Sequence, residues 1–216
     1  MAYFPMFVEI NRKKCLIAGG GRVALRKAKV MSGFGAEVYV VAPKIIQPIR
    51  DMDSVTCYET QIQLEYIADY DIVIAATDNK TLNHDIYTVC MEKKIPVNSV
   101  DDIENCSFIF PAYIRQKDVV AAFSSGGKCP VVSQYLKEEM EKNMPCCIGD
   151  IAGYIGTIRE NIKGMEIPEP IKKEIYKEIL KLGIETNSVP QKAAAEYIIE
   201  RKINNATTKQ QGKIIY

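Results

Sequence analysis

Near its start the chain carries Lys13-Lys14-Cys15-Leu16-Ile17-Ala18, a short apolar run that stops in Gly19-Gly20-Gly21 and continues as Arg22-Val23-Ala24 in a helical pattern. Few folds accommodate such a stretch. A buried strand, a glycine turn and a helix packed back on the strand together read as the opening of a dinucleotide-binding unit. Gly19, Gly21 and Ala24 occupy the small positions of G-x-G-x-x-G/A. They serve the tight turn, the approach of backbone to a pyrophosphate, and close packing of helix on strand. Gly20, Arg22 and Val23 complete the loop, and the helix that starts there aims its first N–H groups and its dipole at the phosphates.

Taken alone, the glycines also fit a ligand-free turn. The surroundings favour the nucleotide. Val23, Ala24, Ala28, Val30 and Met31 follow at helical spacing, and Glu37-Val38-Tyr39-Val40-Val41 lies at the right distance for the second strand of a βαβ unit. The acidic residue expected about 20 residues on, to hold the ribose hydroxyls, is missing. Ala42-Pro43-Lys44 stands there instead, so the motif does not by itself choose NAD over NADP.

Further along, Val55–Glu59 reads as a third strand, and Ile72-Val73-Ile74-Ala75-Ala76 as a strand buried on both faces of a parallel sheet. A helical pattern over 81–94 leads to Val97–Val100. Ligands of open α/β sheets gather at the carboxyl ends of the strands, which places Gly19–Gly21, Ala42–Lys44, Thr77–Asn79 and Ser99–Asp102 on one rim. Thr77-Asp78-Asn79 serves either cofactor contact or, as a loop, the N-cap of the next helix. His84, the single histidine, has no histidine or cysteine near it and reads as a surface residue.

The apolar Tyr3–Ile10 is expected to pack on the sheet or add an edge to it. Beyond residue 105 the pattern changes: Ser107–Pro111 and Val119–Phe123 read as two strands joined by Arg115-Gln116-Lys117-Asp118. Ser124-Ser125-Gly126-Gly127-Lys128 follows, as a plain turn or as an anion cradle of backbone amides. Next comes a helix over 131–142 with Val132, Tyr135, Leu136 and Met140 inward. From Ile148 the chain is helical: Ile148–Ile162, Glu169–Leu182 ended by Gly183, and Gln191–Ile203. Residues 205–216, polar until Ile214-Ile215-Tyr216, are expected to be partly disordered. The fold class is α/β, a Rossmann-type parallel sheet (1–113), then a small α+β segment (114–145) and a helical C-terminal domain (146–216).

A formal net charge of +1 gives no general reason to expect nucleic acid or an anionic membrane as partner. No apolar run approaches the length of a membrane helix, and Met1–Pro5 lacks the pattern of a signal peptide. Seven cysteines without a C-x-x-C pair fit a reduced, cytoplasmic chain better than a disulfide framework or a metal site. Cys15, Cys57 and Cys90 read as small core residues.

At this point the chain resembles a family. Tyr3-Phe4-Pro5-Met6-Phe7, Gly19–Lys27, Val41-Ala42-Pro43, Ala75-Ala76-Thr77-Asp78, Val97–Asp102, Phe108-Ile109-Phe110-Pro111 and Ser124–Val131 are similar, in order, to the signature series of the precorrin-2 dehydrogenases, which include the amino-terminal part of siroheme synthases. The resemblance runs from residue 3 to about 145. It implies NAD-dependent oxidation of precorrin-2 to sirohydrochlorin, in some members followed by insertion of ferrous or cobaltous ion. It also implies a homodimer that exchanges residues 114–145. The family keeps Val-Ala-Pro where the ribose acid is missing. Asp101 matches its catalytic aspartate, Ser125 the second serine of its Ser-Ser-Gly-Gly loop, and Gly19–Val23 its cofactor loop. Ser99 stands where valine is more usual, and Cys129 where serine is.

The chemistry is consistent with that reading. Removing a hydride and a proton from a reduced tetrapyrrole requires a base beside the nicotinamide, and Asp101 stands at the end of a strand on the ligand rim. The alternative is that Asp101 only caps a turn. Arg115, Lys117 and Lys128 are the cations placed to meet substrate carboxylates, unless they are solvated loop charges. A rival class, a regulatory module that binds NAD without turnover, explains residues 1–105 equally well. It leaves Phe108–Pro111 and Ser124–Val131 unexplained, as does a methyltransferase reading of the glycine loop.

Overall fold

Five short strands rich in β-branched residues pair side by side in a computed structural model of the chain, in which residues 3–211 are described, with side chains to residue 205. The strands are β1 (Lys14–Ala18), β2 (Glu37–Val41), β3 (Val55–Tyr58), β4 (Ile72–Ala75) and β5 (Val97–Ser99). All pair in parallel, in the order β3-β2-β1-β4-β5. The chain winds outward from β1 to β3 and then crosses back to β4 on the other side of β1. The carboxyl ends of β1 and β4 therefore frame the point where the strand order reverses, the usual ligand crevice of such sheets.

Both faces of the sheet are covered, as the unbroken apolar strands require. On one face, α1 (Arg22–Gly33) and the short α2 (Gln47–Arg50) pack Ala24, Ala28, Met31 and Ile49 on Cys15, Ile17, Val38 and Val40. On the other, α3 (Lys80–Glu92) and a 3-10 turn over Leu64–Asp69 pack Ile86, Cys90 and Ile67 on Leu16, Ala18, Val73 and Val97. Cys15 and Cys90 are fully buried, and Cys57 packs at the margin of the first core.

The division of the chain falls between Phe110 and Pro111, giving two compact units. In the second unit, β6 (Ala112–Gln116) and β7 (Val119–Phe123) form an antiparallel hairpin, followed by α4 (Pro130–Asn143), α5 (Ile148–Lys163), α6 (Glu169–Thr186) and α7 (Lys192–Gln211). Ile158, Ile162, Ile175, Ile179 and Ile198 make the core of the last three helices. None of the described helices is long and apolar enough to cross a membrane.

Several expectations are corrected. Tyr3–Ile10 adds no strand: the segment enters at the start of β1, which β2 and β4 already pair on both sides, so no free edge is in reach. Phe4 and Phe7 stand exposed, and only Ile10 packs on the core. Ser107–Pro111 is not the partner of β7 either. It returns along β5, with Ser107 N donating to the Val97 carbonyl at 2.8 Å and Asn98 Nδ2 to the Phe108 carbonyl at 3.0 Å. The hairpin is displaced into Ala112–Gln116, so Arg115 lies in a strand, and Lys117-Asp118 is the turn. On α4, Val132, Tyr135, Leu136 and Met140 point outward, not inward, and Ser133 is the buried residue.

Gly183 does not end α6. The helix runs on to Thr186 and stops at Asn187, whose φ of 46° is left-handed. Inside the helix, Gly183 lets the Ile151 side chain of α5 close in to where a β-carbon would stand. The last helix extends to Gln211 rather than Ile203, and the expectation for Ile214-Ile215-Tyr216 lies outside the described residues.

Candidate active site

The glycine loop sits where the sheet topology puts it, between the end of β1 and the start of α1. Gly19 and Gly20 are buried and Gly21 is exposed. Gly19 has φ 125°, and a β-carbon on it would collide with the Ala76 backbone. One on Gly20 would collide with the backbone of Lys44 and Ile45, whereas one on Gly21 would meet nothing within 4 Å. Two glycines are thus required by the fold, and the third leaves open space in front of the helix. Gly21 is the N-cap of α1 and supplies no side-chain cap, so the N–H groups of the first turn, at Arg22 and Val23, remain for an anion. These residues fit a dinucleotide pyrophosphate.

The neighbouring loops are tied to this one through extended ladders. Gly19 N donates to the Val41 carbonyl at 2.9 Å, Ile46 N to the Gly20 carbonyl at 3.0 Å, and Ala76 N to the Ala18 carbonyl at 2.7 Å. Ala42 is buried, Pro43 and Lys44 beside it are exposed, and Ile45 N and Arg50 both reach Glu59. After β4, Asn79 caps α3 by accepting from Leu82 N at 3.1 Å. Thr77 Oγ1 lies 2.6 Å from Asn83 Oδ1, whose amide nitrogen donates back to the Thr77 carbonyl at 3.0 Å. Thr77 is held by this side-chain lock while Asp78 next to it stays exposed. Asn83 was not among the residues singled out in the sequence. Its signal is an amide on the inward face of α3.

Asp101 follows β5 by two residues, in the left-handed region with φ 59° and exposed to solvent. Asp102 plays another part: its Oδ2 accepts from Asn105 Nδ2 at 2.6 Å and so closes the turn. The Cys106 thiol ties the same loop to the strand, 3.2 Å from the Ser99 carbonyl and 3.1 Å from that of Asp102. Burial pushes this thiol up from its ordinary range, against the hydrogen bond to Ser99. His84 is exposed and lies 2.9 Å from Asn105 Oδ1 through Nδ1.

Lys27 also escaped the sequence reading. It lies on the inward face of α1 with Ala24, Ala28 and Met31, is 8% exposed, and holds its Nζ 3.3 Å from the centre of the Phe110 ring. Burial pulls its pKa down to about 8; Arg26 adds to the pull, while Cys106 and Asp101 oppose it. The available signal was a lysine at i+3 from Ala24 on an apolar face.

In the second unit, Ser125 Oγ accepts from Cys129 N at 3.0 Å, Ser124 Oγ accepts from Gly126 N at 3.0 Å, and Gly126 and Gly127 both have positive φ. Lys128 is exposed. Arg115 Nε donates to the Lys117 carbonyl at 2.9 Å, and Lys117 itself is paired with Asp150 of α5. Among the described residues no group of three or more His, Cys, Asp or Glu could hold a metal ion.

The family model described as "Putative NAD(P)-binding" matches residues 6–112. A siroheme synthase of Photorhabdus laumondii is 39% identical over 166 residues, 76% of this chain and 35% of its own length. One of Nitrosospira multiformis is 33% identical over 216 residues, 96% of this chain and 46% of its own length. The chain thus spans between about a third and a half of these curated relatives. Among solved structures, the fold is similar to that of SirC, a precorrin-2 dehydrogenase, with a TM-score of 0.68 at 18% identity, covering 94% of this chain and 100% of the other. Residues 6–112 thus match a family of NAD(P)-binding domains, and over most of its length the chain is similar in sequence to siroheme synthases.

Proposed function

We propose that this protein oxidises precorrin-2 to sirohydrochlorin with NAD, in the formation of siroheme. The observation that carries the reading is the open space at Gly21, in front of an uncapped helix start, on the same strand-end rim as Asp101. NAD, when bound, accepts the hydride. Gly19–Ala24 hold the pyrophosphate through backbone N–H groups, and Ala42, Pro43, Thr77 and Asp78 line the flanking loops. NAD is preferred over NADP, although Lys44 near the ribose would favour a 2′-phosphate.

Asp101 takes the proton that leaves the macrocycle as the hydride departs. Its place in an exposed left-handed turn leaves the carboxylate open to a large substrate. Ser125, Lys128, Arg115 and Lys117 receive the substrate carboxylates, with Lys117 exchanging Asp150 for one of them. Insertion of ferrous or cobaltous ion, as a second substrate, would use the macrocycle's own nitrogens and Asp101 as acceptor of the pyrrole protons.

The working form is a homodimer. Val131, Val132, Tyr135, Leu136 and Met140 form an apolar face on α4, with Val131 75% exposed. Such a patch marks an interaction surface, and residues 114–145 form the dimerisation segment, with 146–216 as a small helical domain. The cysteines, all seven unpaired thiols, fit the cytoplasm. Anaerobic incubation with precorrin-2 and NAD, followed by addition of ferrous or cobaltous ion, tests the reading and separates oxidation from chelation.

A further inference from the structure

The start of α3 holds two loops of the strand-end rim at once. Asn83 locks the loop after β4, its Oδ1 2.6 Å from Thr77 Oγ1 and its amide nitrogen donating to the Thr77 carbonyl at 3.0 Å. His84, the next residue, turns outward to the loop after β5, where its Nδ1 lies 2.9 Å from Asn105 Oδ1. The helix beneath it is fixed on the sheet by the buried Ile86 and Cys90. Tyr87 stands beside the imidazole, with 6.2 Å between the ring centres.

The contact continues beyond Asn105, whose Nδ2 donates to Asp102 Oδ2 at 2.6 Å. One amide therefore joins the imidazole to a carboxylate, and its chemistry places a proton. A carboxylate only accepts, which assigns the Asn105 nitrogen to Asp102 and its oxygen to His84; a carbonyl oxygen also only accepts, so His84 Nδ1 carries hydrogen. A free neutral imidazole prefers its hydrogen on Nε2, so the relay selects the less common tautomer. Asp102 directly follows Asp101 and heads the 3-10 turn Ile103–Asn105. Cys106 ties the far side of that turn to the Ser99 and Asp102 carbonyls. Between these ties Asp101 keeps its left-handed φ of 59°, a conformation that persists where surrounding contacts determine it.

We infer that His84 is a positioning residue for Asp101: through Asn105 it anchors Asp102, and with it the turn that presents the Asp101 carboxylate. The inference rests on the role proposed for Asp101 and adds a residue of another element to it.

Because the chain has a single histidine, nitrogen NMR of the full-length protein, at a pH where the ring is neutral, reads His84 without ambiguity. The parent should show hydrogen on Nδ1, and Asn105→Ala should return it to Nε2. Turnover of His84→Ala should fall about fivefold in kcat, the weight of one hydrogen bond, with the KM for NAD unchanged. His84→Asn, which keeps a nitrogen donor where Nδ1 stood, should restore it. Adding Asp102→Ala to His84→Ala should lower kcat no further, since both cut one relay. Hydrogen on Nε2 in the parent overturns the inference, as does parental kcat in His84→Ala or a double variant in which the two losses multiply. The tautomer is read without substrate. A protein that shows hydrogen on Nδ1 yet fails to oxidise precorrin-2 overturns the proposed function and leaves the relay standing.

Discussion

A β-carbon on Gly19 would stand 2.2 Å from the carbonyl oxygen of Ala76, while one on Gly21 would touch nothing. The first glycine therefore joins β1 to the loop after β4, and the third keeps space for a ligand. Gly19→Ala combines a backbone collision with a φ of 125° that alanine avoids, and should cost about 3 kcal/mol or more. Gly21→Val should leave the thermal melt of the apoprotein nearly unchanged and abolish NAD binding in calorimetry. A Gly21→Val variant that binds NAD as the parent does would place the phosphates elsewhere.

Asp101 and Asp102 should separate cleanly. Asp101→Asn is the suitable probe, because asparagine accepts the left-handed backbone found there. Its turnover should fall about 100-fold or more, the range of general base catalysis, with NAD affinity kept. Asp102→Ala loses the bond from Asn105 and should lower stability by about 1 kcal/mol with a mild effect on rate. Steady-state kinetics and denaturant melts on both variants check the pair.

The buried Lys27 gives stability a pH dependence of definite sign. Its folded pKa, about 8, lies below the ordinary lysine value of 10.5, so between these values the unfolded chain binds more protons and stability contributed by this group rises with pH. Cys15 and Cys90, pushed up to about 12 by burial, act in the opposite direction at alkaline pH. Comparison with Lys27→Met isolates the lysine, since both cysteines are common to the two proteins. The variant should be the more stable at pH 7, and its advantage should shrink through the window from 8 to 10.5. Denaturant melts across that range measure the difference.

The outward face of α4 should hold two copies together. Leu136→Asp puts a charge into the middle of that face, where Tyr135 and Met140 also stand exposed. Sedimentation at micromolar concentration should show the parent as a dimer and the variant as a monomer with its helical spectrum intact.

Much of this was legible in the sequence because local chemistry determined it. The glycine loop, the buried run of β4 and the Asn79 cap follow from steric and hydrogen-bonding rules that act within a few residues. The residues that escaped depend on partners distant along the chain. Tyr3–Ile10 reads equally as a segment packed on the sheet or as an added edge until the pairing of β1 on both sides is known. Ser107–Pro111 reads as a strand of the hairpin until β5 claims it. Lys27 has no reading of its own in the sequence, because its partner Phe110 lies 83 positions later in the numbering. The apolar stripe of α4 was visible, but amphipathicity shows only that a face is to be covered, not whether the cover comes from the same chain.

The central claim is that a bound nucleotide is reduced at this site rather than merely sensed. Anaerobic mixing of the protein with precorrin-2 and a measured amount of NAD, with NADH and the macrocycle followed together by absorbance, tests it most directly. The account predicts one NADH for each sirohydrochlorin formed, with both signals lost in Asp101→Asn. Tight NAD binding with no NADH formed in the presence of precorrin-2 would contradict it and leave a nucleotide-sensing module in its place.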